Sequence, residues 1–158
     1  MRIGHGYDVH RLEADRKFIL GGVQIDWPVG LQGHSDADVL THAIIDALLG
    51  AAALGDIGQH FPDNDDAYRD ADSIELLKIT AEKLRAAGYE PVNIDATVIC
   101  QLPKLRPYID DIRRCLAQAL CMETGRISVK ATTEEGLGFT GIGLGVSAHA
   151  VCLISETT

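Results

Sequence analysis

Hydrophobic positions along the chain fall into two periods, and each predicts a different kind of element. Arg2 to Val9 reads as a strand, with Asp8 and His10 two residues apart and therefore on one face. Phe18-Ile19-Leu20 and Val23-Gln24-Ile25 flank Gly21-Gly22, the pattern of a hairpin with a glycine turn. Leu40, Ile44, Ala47, Leu48 and Ala51 then recur at helical spacing. That helix is expected to run to about Leu54, with Ser35 as N-cap, Asp38 in the place of a capping-box acid, and Gly55-Asp56-Ile57-Gly58 ending it.

Ile74, Leu77, Ala81 and Leu84 mark a second helix, capped by Asp72 or Ser73 and stopped at Gly88. Val92, Ile94, Ala96, Val98 and Cys100 alternate with Asn93, Asp95 and Thr97, as in a half-buried strand. Ile109, Ile112, Leu116 and Leu120 predict a third helix, and Ile127 to Thr132 and Val146 to Ser155 two further strands. The order β-β-α-α-β-α-β-β predicts an α+β two-layer sandwich, a mixed β-sheet with three amphipathic helices on one face. Excess apolar residues in the last strand and at Ile142 and Leu144 point to subunit packing.

Composition changes this picture little. With 158 residues, 46% of them hydrophobic, one domain over 1–158 is expected. The net charge of −9 argues against a nucleic-acid or anionic-membrane partner. Cys100, Cys115, Cys121 and Cys152 form no C-x-x-C pair, three of them lie in apolar segments, and they read as buried free thiols. No signal pattern and no apolar run near the roughly 20 residues of a membrane span is present, so a cytoplasmic protein is expected.

Candidate chemistry starts with Asp8, His10 and His42. If the first strand meets the first helix, they form an N/N/O metal set with one position left open, as in catalytic zinc; otherwise His42 belongs to an ordinary helix face. Asp38 and Asp46, each four residues from His42, are candidate acceptors for its ring. His34-Ser35 stands at the helix entrance, either as an anion contact or as simple capping. The polar run Phe61-Pro62-Asp63-Asn64-Asp65-Asp66 is either an exposed connector or a flap over a site. Lys130 to Glu135 leads into Gly136, Gly138, Gly141, Gly143 and Gly145; it is a phosphate and hard-cation contact or a strand end with turn glycines. Pro103-Lys104-Leu105-Arg106 is a basic turn or a loop around a phosphorylated ligand. No G-x-S-x-G and no P-loop pattern is present.

Taken in order, Gly4-His5-Gly6-Tyr7-Asp8-Val9-His10, His34-Ser35-Asp36, Asp46-Ala47-Leu48-Leu49-Gly50, Gly55-Asp56-Ile57-Gly58, Phe61-Pro62-Asp63, Val129-Lys130-Ala131-Thr132-Thr133 and Gly138-Phe139-Thr140-Gly141 resemble the 2-C-methyl-D-erythritol 2,4-cyclodiphosphate synthase family over essentially the whole length. The resemblance implies a homotrimer with active sites between subunits. It implies cyclisation of 4-diphosphocytidyl-2-C-methyl-D-erythritol 2-phosphate with release of CMP, in the non-mevalonate isoprenoid pathway. On matching positions, Asp8, His10 and His42 would hold Zn²⁺, and Glu135 the Mg²⁺ or Mn²⁺ that bridges substrate phosphates. His34 and Thr133 match catalytic positions. Ser35, Asp56, Ile57, Gly58 and the run Phe61, Pro62, Asp63, Asn64 and Asp65 match contacts to the erythritol phosphate part. Cys100, Gln101, Leu102, Pro103, Lys104, Leu105 and Arg106, with Ala131, Thr132 and Thr133, match the cytidine diphosphate pocket of the adjoining subunit. Phe139 matches a substrate-lining position. Many family members have Arg where this chain has Ile142, which puts an isoprenoid diphosphate contact on the trimer axis in doubt.

Two other classes fit part of the pattern. A zinc hydrolase uses the same three ligands but needs a general base for which the chain offers only loosely placed candidates. A non-enzymatic nucleotide-binding trimer needs neither the ligand set nor His34. Bifunctional relatives carry a cytidylyltransferase domain ahead of this one, and none is expected within these residues.

Overall fold

The computed structural model describes residues 1–62 and 64–157. Its longest strand is β1 (Arg2–Ala14), followed by the hairpin β2 (Phe18–Leu20) and β3 (Val23–Ile25) and by short β4 (Val29–Leu31). Helix α1 (Val39–Ala51), a single turn α2 (Ile57–His60) and helix α3 (Ser73–Ala86) precede β5 (Tyr89–Ile99). Helix α4 (Ile109–Leu120), β6 (Ile127–Thr132), the turn α5 (Gly138–Gly141) and β7 (Gly145–Glu156) complete the order. The main sheet runs β4-β1-β7-β5-β6, with β5 and β6 parallel and the other pairs antiparallel. It is the mixed-sheet α+β arrangement expected.

Side chains alternate across β1. Gly4 and Gly6 are buried, whereas Ile3, Tyr7 and Val9 are exposed on the opposite face. On β7, Val146, Ala148, Ala150, Cys152 and Ile154 continue the buried face. Helix α1 lies on this face, and Leu40, Ile44, Leu48 and Leu49 are fully buried against it. Leu77 and Leu84 of α3 and Ile112 and Leu116 of α4 extend the same hydrophobic core.

Three local expectations are corrected. Helix α1 begins at Val39, not after Ser35, because Asp38 is its N-cap and accepts from the backbone N–H of Thr41. The helix ends at Ala51, before Leu54, and Ala53 turns left-handed (φ 57°) just beyond it. Gly55-Asp56-Ile57-Gly58, expected only to end the first helix, contains the start of the separate turn α2, and the polar run after it leads into a 3₁₀ turn at Asp66–Tyr68, with Asp65 accepting from the N–H of Ala67.

Candidate active site

Asp8 and His10 leave β1 on its helix side, and α1 lays His42 across them. Asp8 Oδ2 is 2.9 Å from His10 Nε2 and 3.0 Å from His42 Nδ1, and those two nitrogens are 3.3 Å apart. Four tetrahedral ligands at zinc–nitrogen distance lie roughly 3.3 Å from one another. The three donor atoms therefore already form one face of such a tetrahedron, with the fourth corner free. Two neutral imidazoles and a carboxylate are the donor set a divalent transition ion takes, and no other group of this kind occurs among the described residues.

The tautomer of His10 suits that role. Its Nδ1–H donates to the carbonyl of Gln32 at 2.8 Å, leaving the Nε2 lone pair toward Asp8 and His42. Burial pushes the Asp8 carboxyl up, but hydrogen bonds and charge from His10 and His42 outweigh it and hold the group at about 2. Burial pulls the His10 imidazole down, and Asp8 and the Gln32 carbonyl more than reverse this, so His10 is raised. At neutral pH the carboxylate is ready to bind a cation. On the far side of the His42 ring, Nε2 lies 2.8 Å from Ser73 Oγ and 3.2 Å from Ser35 Oγ.

Around the triad, His34, Ser35, Ile57, Gly58 and Phe61 line a cavity of about 230 Å³. Asp56 caps α2 through the N–H of Gln59, and Phe61 is buried edge-on against Tyr68. Pro62, Asn64 and Asp65 follow in the chain, while Asp63 lies outside the described residues.

A second cleft, of about 240 Å³, is lined by Cys100, Gln101, Pro103, Lys104, Leu105 and Arg106, with Ala131, Thr132 and Thr133. It sits at the ends of β5 and β6, where Ile99 pairs with Thr132. Leu102 is exposed beside a neighbouring groove that includes Ile142. Among the described residues, the Gln101 amide oxygen is the one buried side-chain polar atom with no hydrogen-bond partner. Burial raises the Cys100 thiol to about 11, so it is an inert wall of the cleft at neutral pH. Glu135 and Phe139 are exposed; Glu135 lies in a third depression with Glu134, Leu137 and Gly138. Within one chain, then, the structure gathers the metal ligands with His34 and Ser35, and the cytidine candidates with Thr133. The two clefts share no lining residue.

The expected acceptors for His42 are corrected. Asp38 is fully buried and accepts from the N–H groups of Gly21 and Gly22 and from both N–H and Oγ–H of Thr41. Asp46 accepts from the N–H of Ile57 at 2.9 Å, which pins α2 to α1. Ser73 contacts His42 instead, and only its place in a helix-capping pair marked it in the sequence.

A sequence profile of the YgbB family matches residues 1–155. The chain belongs to the YgbB family. Proteins named 2-C-methyl-D-erythritol 2,4-cyclodiphosphate synthase are similar to it throughout. That of Trichlorobacter lovleyi is 62% identical over 154 residues, 98% of each chain. That of Lachnospira eligens is 60% identical over 158 residues, 100% of this chain and 86% of the other. Among solved structures, the bifunctional IspDF from Campylobacter jejuni superposes with a TM-score of 0.95 at 43% identity, over 98% of this chain; the match spans 42% of that longer chain. A CDP complex of IspF from Plasmodium falciparum superposes with a TM-score of 0.87 at 32% identity, over 99% of this YgbB-family chain and 97% of that one.

Proposed function

We propose that this YgbB-family chain works as a single-domain subunit of a homotrimer whose active sites each join the metal cavity of one subunit to the cytidine cleft of the next. The chain has its family's activity, 2-C-methyl-D-erythritol 2,4-cyclodiphosphate synthase, of the non-mevalonate isoprenoid pathway. Its substrate is a small diphosphocytidyl compound, 4-diphosphocytidyl-2-C-methyl-D-erythritol 2-phosphate. A 2-phosphate oxygen of that substrate forms a new bond to the β-phosphorus, the α–β bridge breaks, and CMP leaves with the electron pair. No protein nucleophile is required.

The single observation that carries the reading is the convergence of Asp8, His10 and His42 beside His34 and Ser35 in one cavity. These three residues suit Zn²⁺, and Glu135 suits an Mg²⁺ or Mn²⁺ on the substrate phosphates. Such cations supply Lewis-acid polarisation and neutralise phosphate charge. His34 and Thr133 donate toward the charge that develops on the phosphoryl oxygens. Ser35, the N–H groups of Ile57 and Gly58 at the start of α2, and Asp56 hold the erythritol phosphate end, with Phe61, Pro62, Asn64 and Asp65 beside it. Residues Cys100 to Arg106 with Ala131, Thr132 and Thr133 hold the cytidine diphosphate, Lys104 and Arg106 facing its charge; the unpartnered Gln101 oxygen is a ready acceptor. Phe139 lines the same substrate space.

Two features favour the trimer. The metal cavity and the cytidine cleft are separate in one chain, and the sheet face away from the helices exposes Ile3, Tyr7, Val9 and Val151. Four free thiols suit a reducing cytoplasm, and among the described residues no helix is long and apolar enough to cross a membrane. Mixing H42A and T133A chains tests the shared site. Each alone is expected to be inactive; mixed trimers regain activity if the site is shared, and stay inactive if each chain is self-sufficient.

A further inference from the structure

Ser73 and Asp36 contact neither cleft's reacting groups, yet both are tied to His42. We infer that they are positioning residues: Asp36 orients the Ser73 hydroxyl, and that hydroxyl fixes the His42 ring with its Nδ1 lone pair turned to the cation. The inference rests on the reading of Asp8, His10 and His42 as the metal site.

Ser73 is fully buried at the first turn of α3. Its hydroxyl donates to Asp36 Oδ1, and its backbone N–H donates to Asp36 Oδ2 at 2.9 Å. A hydroxyl carries one proton, and Asp36 takes it. Ser73 Oγ therefore faces His42, 2.8 Å away, only as an acceptor. The ring nitrogen opposite must then carry hydrogen. With Nε2–H donating to Ser73, Nδ1 is left bare, 3.0 Å from Asp8 Oδ2 on the side where the three donors converge.

Ser35 Oγ is the weaker second acceptor, at 3.2 Å, and is also occupied by the N–H of Ala37. The Asp36 side chain receives the N–H of Asp38 as well. Its own backbone N–H reaches the carbonyl of Ala71, and the N–H of Asp70 reaches the carbonyl of His34. The two side chains thus join the ligand ring, the loop that carries His34 and Ser35, and the start of α3. Partners of this kind, one bond out from a metal ligand, typically set 10- to 100-fold of metal affinity.

The test strips metal from the unaltered chain and from S73A, S73T, D36N and H42A. Zn²⁺ affinity is then measured against a chromophoric chelator, and visible bands are recorded with Co²⁺. The unaltered chain is expected to take an ion at this site that H42A loses. S73A and D36N are expected to bind about 10- to 100-fold more weakly with shifted cobalt bands, and S73T to recover most of the affinity. Should S73A fail to fold, D36N decides alone. Unchanged affinity and unchanged cobalt bands in the folded variants overturn the inference. An unaltered chain that takes no divalent ion at all overturns the metal reading itself.

Discussion

Gly6 and Ala43 meet backbone to backbone: a Cβ on Gly6 would stand 1.9 Å from the Ala43 carbonyl oxygen. Gly4 meets Ala47 in the same way, again at 1.9 Å. At these two positions β1 puts no side chain between itself and α1, so His42, the residue before Ala43, comes down directly beside Asp8. The metal cavity exists because two glycines of a strand let a helix approach this closely.

Gly6→Ala is therefore expected to push α1 off the sheet. Overpacking against an immovable carbonyl costs about 3 kcal/mol or more, which lowers the melting temperature of a chain this size by roughly 6–12 °C. Metal binding at Asp8, His10 and His42 is expected to fail in the protein that remains folded. Thermal melting and metal analysis of G6A check both outcomes; a variant with unaltered melting and full zinc contradicts the contact.

Without metal, the Asp8–His10 pair makes stability depend on pH. Asp8 is lowered from 3.8 to about 2, so its contribution is present above pH 3.8 and lost as pH falls toward 2. His10 is raised from 6.5, so its contribution is present below pH 6.5 and lost as pH rises through its folded value. Chelator-stripped protein is expected to exceed D8N in stability most between those limits, by about 2 kcal/mol. The same proton on His10 opposes the cation, so metal affinity falls as pH drops through its raised folded value, already above 6.5. Melting curves and zinc titrations across this range read the two effects separately.

The metal set was legible because its parts are simple. Asp-x-His on a strand fixes two ligands on one face, and a helix with one apolar stripe must lay a neighbouring stripe near that strand. The three long helices followed from period, and the strands of five or more residues were each anticipated, although β1 was read only to Val9 and runs on to Ala14, where it pairs with β4. What escaped depends on partners distant in sequence. Asp38 and Ser35 are both good caps, and what distinguishes Asp38 is its bonds to Gly21 and Gly22, on a hairpin brought in by the fold. Ser73 and His42 are 31 residues apart, and nothing local announces their bond. Strand β4 has three residues, too few for a period, and forms because Leu31, Gly30 and Val29 find Leu12, Glu13 and Ala14.

Asp38 holds that hairpin turn, at which Gly21 and Gly22 both take positive φ, against the start of α1. Asp38→Ala leaves four donors without their acceptor, at a cost of about 3 kcal/mol. Denaturant unfolding is expected to show the midpoint falling at unchanged slope; a midpoint within error of the unaltered chain contradicts the role.

The four cysteines should separate by reactivity. Burial, expected for these thiols, fails at Cys121, which is exposed beyond α4 where the helix ends in a left-handed turn, and Cys115 is half-buried; Cys100 and Cys152 are buried and their thiols are pushed up to about 11. Brief alkylation at neutral pH followed by mass spectrometry is expected to mark Cys121 and spare the other two, with activity retained. Early labelling of Cys100 contradicts this picture of the cleft proposed to hold cytidine.

In the reaction proposed above, metal-assisted phosphoryl transfer occurs within the substrate, with no water and no protein nucleophile. Phosphorus NMR of the metal-loaded chain with 4-diphosphocytidyl-2-C-methyl-D-erythritol 2-phosphate tests it most directly. The coupled pair of resonances of a cyclic diphosphate is expected, with one CMP for each product, and loss of both in H42A. CMP accompanied by an open-chain diphosphate would mean that water attacks, and would contradict it.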